Sequence, residues 1–214
     1  MVFPCHGGCV QRAGVECHAE HDAGGAGALA YLRGLDIVDT DNIGLEGHSM
    51  GGWTVLAAAA TMPDAYKSLV LEGSSTGAPF AMEGTPEWPR NLAVVFSKYD
   101  EFSQSMWTVD RAQDVAGSPT LQAVFGTDQA VVPGEVYGDI AQGTARILHM
   151  PNTTHPGDHI SPEAIGYSID WFAETLEGAE PLPSSDQIWL WKEIGTLIAL
   201  VGFVVLLAGT FQAL

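Results

Sequence analysis

The chain has 214 residues, enough for one domain with an appendage, and 46% of them are apolar, so it can bury a sizeable core. It carries 26 acidic residues against 8 basic ones, a net charge of −18. This balance argues against a nucleic-acid-binding protein, because phosphates are bound through clustered lysine and arginine. It also disfavours a highly anionic substrate, which the acidic surface would repel.

Residues 1–22 are predicted to form a loose segment. They hold all three cysteines, Cys5, Cys9 and Cys17, with three histidines among them. The spacing C-x3-C-x7-C-H matches no strong zinc-binding pattern, so no metal site is predicted there. No basic start followed by an apolar run is present, so no signal peptide is predicted.

Residues 23–178 alternate between helical patterns and short apolar runs. Buried strands are predicted at 42–47, 68–71, 92–96 and 145–148, and helices at 23–34, 50–62 and 162–176. The last helix begins after Ser161-Pro162, a cap followed by a first-turn proline. Its predicted apolar stripe is Ile165, Ile169, Phe172 and Leu176. Unbroken apolar strands between helices predict a parallel sheet covered on both faces, an α/β fold.

The first predicted strand ends in the pentapeptide Gly47-His48-Ser49-Met50-Gly51, which fits G-x-S-x-G. Between a strand and a helix, this pattern is typical of a nucleophile held on a strained turn. Ser49 is therefore the candidate nucleophile. The amide of Met50, at the start of the helix, is the candidate oxyanion donor, aided by the helix dipole.

An acid and a histidine follow two later strands, where catalytic groups of parallel sheets collect. Asp100 closes the turn after the strand at 92–96 and is the candidate partner for an imidazole, with Glu101 as its nearest competitor and Glu72 at the end of the previous strand. His155, in the loop after the strand at 145–148, is the candidate base, and His159 in the same loop is the alternative. Serine is a weak nucleophile that needs such a base, so the three residues are predicted to act together in nucleophilic catalysis.

The segment from Glu101 to Thr144 is long for a link between the acid and the histidine. Its apolar members are Met106, Trp107, Leu121, Val124 and Phe125. Such an insertion either shapes an acyl pocket over the serine or only fills the fold.

The last residues form an uncharged apolar segment, 194–214, long enough to cross a bilayer as a helix. Trp189, Trp191 and Lys192 precede it, and such side chains favour the membrane interface. We predict a linker at 179–187 and a transmembrane helix at 188–214, which places the protein at a membrane without fixing its orientation. Small residues recur on one helix face, where a partner helix could pack: Gly195, Gly202 and Gly209.

The order Ser49, Asp100, His155 and the motif GHSMGG resemble the α/β-hydrolase superfamily, closest to its serine esterase, dienelactone hydrolase and S9 peptidase branches. The resemblance covers about residues 23–176. It implies a Ser-His-Asp triad and an acyl-enzyme route, on a small-molecule or peptide acyl substrate, with no metal or organic cofactor.

The sequence departs from this family before the nucleophile strand, where there is room for little more than one helix. The chain therefore resembles a truncated α/β-hydrolase that lacks its N-terminal strands, and the source of a second oxyanion donor stays open. His6-Gly7-Gly8 resembles the family's donor loop only weakly, because no strand precedes it.

Three functions remain open at this stage. The first is a membrane-attached serine hydrolase that cleaves an ester, thioester or amide. The second is a non-catalytic module of the same fold that binds a ligand or partner, and the third is an inactive fragment of a longer membrane hydrolase.

Overall fold

The computed structural model describes residues 24–77, 81–178 and 182–213, which fall into two compact units. The first unit ends at residue 181 and contains the sheet, and the second begins at residue 182 and contains one long helix. The segment 1–22 and its cysteines lie outside the described residues.

Among the described residues, the first unit has an α/β architecture, as predicted. Its strands are β1 Gly44–His48, β2 Ser68–Glu72, β3 Leu92–Val95, β4 Val136–Tyr137 and β5 Arg146–His149. Its α-helices are α1 Gly25–Arg33, α2 Met50–Thr61, α3 Ser103–Trp107, α4 Pro119–Phe125 and α5 Pro162–Thr175, and 3₁₀ turns span Ala112–Gly117 and Asp158–Ile160. The sheet order is β1-β2-β3-β5-β4. Neighbouring strands run parallel, except that β4 is antiparallel to β5.

Both faces of this sheet are covered, which explains why its strands are apolar throughout. Successive strand residues point to opposite faces. Leu69 and Leu71 therefore join the core that includes Leu56 of α2, whereas Val70 joins a second core with Trp171 of α5. The strand ends are thus held between two helix layers, which fixes the positions of the loops that follow them.

The predicted apolar stripe of α5 is wrong in part. Ile169 is 36% exposed, and the buried face is offset from it. The buried residues of α5 are Ala164, Gly166, Ser168, Trp171 and Thr175. Two of these residues have hydrogen-bonded polar groups: the Trp171 indole donates to the carbonyl of Asn91 (2.9 Å), and the Thr175 hydroxyl donates to that of Ser68 (2.8 Å).

The segment between Glu101 and Thr144 is packed into the fold. The apolar residues singled out from the sequence, Met106, Trp107, Leu121, Val124 and Phe125, are all buried in the core on the α2 side of the sheet. The Trp107 ring meets Phe96 edge to face, with 6.4 Å between ring centroids. Their burial supports the interpretation that these side chains fill the fold.

The second unit consists mainly of α6, Trp189–Ala213. Within it, Trp189–Gln212 forms a 24-residue stretch that is long and apolar enough to cross a membrane. The predicted domain boundaries at residues 178 and 188 stay predictions.

Asn91 joins several elements at the amino ends of the strands. Its backbone has a φ of 41°, a left-handed conformation that asparagine tolerates better than most residues. Its side-chain amide donates to the carbonyls of Lys67 (3.1 Å) and Ile140 (3.2 Å), and its side-chain oxygen accepts from the amide of Ala145 (3.3 Å). One side chain therefore ties the start of β3 to the segments before β2 and β5.

We expect Asn91→Ala to lower the free energy of unfolding by about 2–4 kcal/mol, because it leaves buried backbone groups unpaired and places alanine at a positive φ. Thermal unfolding in detergent micelles measures this loss. Asn152→Ala, at an exposed asparagine, is the control and should change stability by less than about 0.5 kcal/mol. Equal effects of the two substitutions would contradict the linking role of Asn91.

Candidate active site

Ser49 lies at the sharp turn from β1 into α2, in a backbone conformation that is rare for a residue with a side chain. Its φ is 55° and its ψ is −122°. Three hydrogen bonds hold it there: its amide donates to the Glu72 carbonyl (2.9 Å), and its carbonyl accepts from the Gly52 amide (2.9 Å) and the Ser74 hydroxyl (2.8 Å). Such strain persists only where the surroundings fix it, and it concentrates at functional sites.

Two glycines permit this turn by close approach rather than by flexibility. A Cβ on Gly47 would lie 2.2 Å from the carbonyl oxygen of Gly51 and 2.5 Å from the amide nitrogen of Gly52. A Cβ on Gly52 would lie 2.2 Å from the Ser74 hydroxyl oxygen, which holds the Ser49 carbonyl. A Cβ on Gly51, in contrast, would meet nothing within 4 Å.

Asp100 and His155 form a close, buried pair. The Asp100 Oδ2 atom lies 2.8 Å from His155 Nδ1, and the two residues are 4% and 7% exposed. The other carboxylate oxygen of Asp100 accepts the amide of Phe102 (2.8 Å), whose ring packs edge-on against the imidazole. The carboxylate is therefore fixed on one side by the backbone, and its second oxygen faces the histidine.

Burial raises the pKa of Asp100 above its ordinary value. The Phe102 amide and His155 both favour the ionised carboxylate and oppose this shift, whereas the negative charge of Asp158 adds to it. Removal of His155 would thus leave a buried carboxylate with less compensation.

Main-chain hydrogen bonds carry the β3–β5 pairing beyond the strands and into these two loops. The amide of Lys98 donates to the Pro151 carbonyl (2.9 Å), and that of Tyr99 donates to the Thr153 carbonyl (3.1 Å). Asp100 and His155 therefore each follow directly on this backbone ladder. This explains why two residues that are 55 positions apart in the chain are in contact.

Ser49 follows β1, which is separated from β3 by β2, and two residues near it approach the histidine. The ring nitrogen Nε2 of His48 lies 3.1 Å from the His155 carbonyl oxygen, and a Cβ on Gly73 would lie 2.9 Å from His155 Nδ1. Within the described part of the chain, no hydrogen bond joins the Ser49 hydroxyl to His155. Catalytic hydrogen bonds are often long without substrate and tighten in the complex.

His159, the alternative base from the sequence, lies elsewhere in the loop. It is exposed, and its ring packs 4.1 Å from the ring of His48. Burial and the neighbouring His48 lower its pKa. In the described residues Asp100 pairs with His155 and not with His159.

Asp158 and His48 are site residues that the sequence reasoning missed. Asp158 is fully buried, and one of its carboxylate oxygens accepts the Ser97 hydroxyl. The other, Oδ2, lies 3.6 Å from His48 Nε2. Burial lowers the pKa of His48, but Asp158 and the His155 carbonyl outweigh it, so that the pKa is raised. The signal in the sequence that could have identified Asp158 is its spacing, because it follows His155 by three residues, or about one helical turn.

Glu72 supplies a second buried carboxyl group near Ser49. It is 7% exposed, and it pairs with His48 in the β1–β2 register. Burial, with the negative charges of Glu46 and Asp158, raises its pKa to about 8. Its Oε1 atom has no hydrogen-bond partner among the described residues, which suits a protonated, neutral group.

The candidate oxyanion donor occupies the expected position. Met50 is the first residue of α2, where backbone amides have no acceptor within the helix. No second oxyanion donor is assigned among the described residues. The segment His6-Gly7-Gly8 lies outside them.

Comparison with known proteins agrees with this architecture. Residues 26–118, under half of the chain, match the model of the prolyl oligopeptidase family, Peptidase_S9. The match includes Ser49 and Asp100 and ends before His155. No curated protein matches the chain. The resemblance to α/β-hydrolases and the predicted α/β fold are confirmed, and the family match indicates a hydrolase of the serine type.

We expect Gly47→Ala to lower the free energy of unfolding by about 2 kcal/mol or more, since its methyl group would collide with backbone atoms of α2. Gly51→Ala is the matched control in the same motif. It should raise stability by about 0.5–1 kcal/mol, because alanine is the better helix former and the space is open. Thermal unfolding of both variants tests this, and equal losses would contradict the turn geometry.

The buried Glu72 predicts a particular dependence of stability on pH. Its folded pKa of about 8 exceeds the ordinary 4.5, so the folded state retains a proton that the unfolded chain releases. The contribution of Glu72 is complete below pH 4.5 and is lost as the pH rises through about 8. Glu72→Gln stays neutral and should remove this loss, of the order of a few kcal/mol.

The measurement is the melting temperature across this pH range for the parent chain and the variant. Glu174→Gln, at an exposed glutamate on α5, is the control and should leave the slope unchanged. A parent and a Glu72→Gln variant with parallel pH curves would rule out a raised pKa at Glu72.

Proposed function

We propose that this α/β-hydrolase-fold chain is a membrane-attached serine hydrolase that cleaves an ester, thioester or amide through an acyl-enzyme. The observation that carries the proposal is the 2.8 Å contact between Asp100 and His155, on loops after β3 and β5 of the parallel sheet whose strand β1 ends at a serine held at a φ of 55°. A hydroxyl, an imidazole and a carboxylate in this order are the parts of a hydrolytic triad.

In this proposal the imidazole is kept in one tautomer. Asp100 Oδ2 accepts the proton of His155 Nδ1, which leaves Nε2 as the basic nitrogen. The second oxygen of Asp100 is held by the Phe102 amide, so the carboxylate cannot rotate away without loss of that bond. Asp100 thus orients the ring and stabilises the imidazolium that forms during the reaction.

The proposed reaction has two halves. As Ser49 Oγ bonds to the substrate carbonyl carbon, its proton passes to His155 Nε2, and the carbonyl oxygen becomes an oxyanion. His155 then gives the proton to the leaving alcohol, thiol or amine as the tetrahedral intermediate collapses to the acyl-enzyme. Water then attacks the acyl carbon and gives a proton to His155 Nε2. His155 returns this proton to Ser49 Oγ as the carboxylic acid leaves, which restores the Ser49 hydroxyl.

We assign the oxyanion contact to the Met50 amide at the start of α2. The 12 residues of this helix place their positive dipole end at Ser49, where negative charge develops on the substrate oxygen. One such donor is commonly worth about 10²–10³ in rate.

Membrane attachment is proposed from α6, whose Trp189–Gln212 stretch has the length and composition of a membrane span. Trp189, Trp191 and Lys192 at its start suit the interface between lipid and water. A partner helix along Gly195, Gly202 and Gly209 remains part of this proposal, since small side chains allow close helix packing.

A non-catalytic binding module is the second candidate function. It is favoured by one observation, that no hydrogen bond joins the Ser49 hydroxyl to His155 in the described residues. Such a module would be stabilised by a ligand without turnover, and Ser49→Ala would leave that stabilisation intact.

We expect a fluorophosphonate probe to label Ser49 of the full chain in membranes. The labelled protein should stay in the membrane fraction after an alkaline wash. Ser49→Ala should abolish labelling. His155→Ala and Asp100→Asn should slow it by about 10³- to 10⁴-fold, because the hydroxyl then lacks an oriented base.

His159→Ala is the control that separates the two histidines. It should label at close to the parent rate, because His159 makes no contact with Asp100. Loss of labelling in this variant together with normal labelling of His155→Ala would reverse the assignment of the base. A folded parent chain that does not label at all would favour the binding module.

A further inference from the structure

Two side chains that the proposed hydrolysis does not use form a cluster with the histidine of the candidate triad. His48, His155 and Asp158 each offer one ligand atom, and these atoms lie within 4.8 Å of one another. His48 Nε2 and Asp158 Oδ2 lie 3.6 Å apart. Imidazole nitrogens with a carboxylate oxygen are a ligand set that Zn²⁺ commonly takes.

The carboxylate in this cluster has an oxygen without a hydrogen bond. Asp158 is fully buried, and its Oδ1 accepts the hydroxyl of Ser97. Its Oδ2 has no hydrogen-bond partner among the described residues. Buried charges are generally paired or coordinate metals, because an uncompensated one costs several kcal/mol.

The backbone of Gly73 passes close to this oxygen. A Cβ at this position would lie 2.9 Å from His155 Nδ1 and 3.1 Å from Asp158 Oδ2. A side chain there would therefore collide with both groups. The backbone of Gly73, with a φ of 50°, also favours glycine.

The distances suit a small divalent cation. Tetrahedral Zn²⁺ with bonds of about 2.0–2.2 Å separates its ligand atoms by roughly 3.3 Å. The 3.6 Å between His48 Nε2 and Asp158 Oδ2 is close to this separation, and the ligand atom of His155 lies within 4.8 Å of both. His48 Nε2 would exchange its 3.1 Å contact with the His155 carbonyl for the metal.

We propose that His48, His155 and Asp158 form an inhibitory site for a divalent transition metal such as Zn²⁺. The inhibitory effect rests on the proposed function, whereas metal binding does not. A metal on His155 Nδ1 displaces the proton shared with Asp100, and a metal on Nε2 occupies the basic lone pair. Either mode removes His155 as a base, so the metal blocks the hydrolase without being part of its reaction.

The test uses tag-free full-length protein in detergent micelles, with Cys5, Cys9 and Cys17 replaced by serine so that no thiolate competes. Co²⁺ is titrated and followed by its visible absorption, and Zn²⁺ is then added to displace it. We expect binding in this background, with His48→Ala and Asp158→Asn at least about ten-fold weaker, since even groups outside the ligand shell are worth that much. Asparagine keeps an acceptor for Ser97, and thermal unfolding checks that each variant is folded.

His159→Ala is the matched control, because its ring contacts His48 but supplies no ligand to the cluster. Its Co²⁺ affinity should equal that of the parent. Unchanged affinity in both His48→Ala and Asp158→Asn, or an equal loss in His159→Ala, would overturn the site.

Fluorophosphonate labelling provides the second readout. Zn²⁺ should slow labelling of the parent, and His48→Ala, compared with its own metal-free rate, should resist the metal. Co²⁺ binding that depends on the cluster in a chain that never labels would leave the metal site standing and contradict the hydrolase. Normal labelling without Co²⁺ binding would support the hydrolase and contradict the metal site.

Discussion

The left-handed backbone of Ser49 is the constraint on which the rest of the site depends. It turns the chain from β1 into α2 at one residue, so that Ser49 directly precedes the first amides of the helix. The turn is possible because Gly47 and Gly52 have no side chains, and it is held by the Glu72 carbonyl from the neighbouring strand. The same residue contributes the buried carboxyl whose proton links stability to pH.

The sequence predicted those parts of the fold that local patterns determine. Apolar runs located four of the five strands of the described residues within about two residues but missed the two-residue β4, and the glycine-rich motif located the turn at Ser49. The buried face of α5 was not predictable in this way. Trp171 and Thr175 are inside because their polar atoms meet Asn91 and Ser68, which are distant in the chain. Hydrophobicity alone favoured Ile169, which is exposed.

The same distinction applies to the candidate site, where local patterns predicted some residues and not others. Asp100 and His155 could be proposed from their places after two strands, because parallel strands end at one edge of the sheet. Asp158 could not be distinguished from the other 25 acidic residues of a strongly acidic chain. Its burial arises from a 3₁₀ turn and a hydrogen bond to Ser97, and neither leaves a periodic pattern in the sequence.

The ladder that joins Lys98 to Pro151 and Tyr99 to Thr153 consists of main-chain atoms alone. The chain leaves this ladder after Asp100 and rejoins it before His155, so the exposed residues of the excursion that contact neither group can change without displacing them. Evolution and laboratory selection can therefore remodel the exposed positions between Gly126 and Gly134 independently of the acid–base pair. The fold separates the part of the chain that is free to diversify from the part that must stay in register.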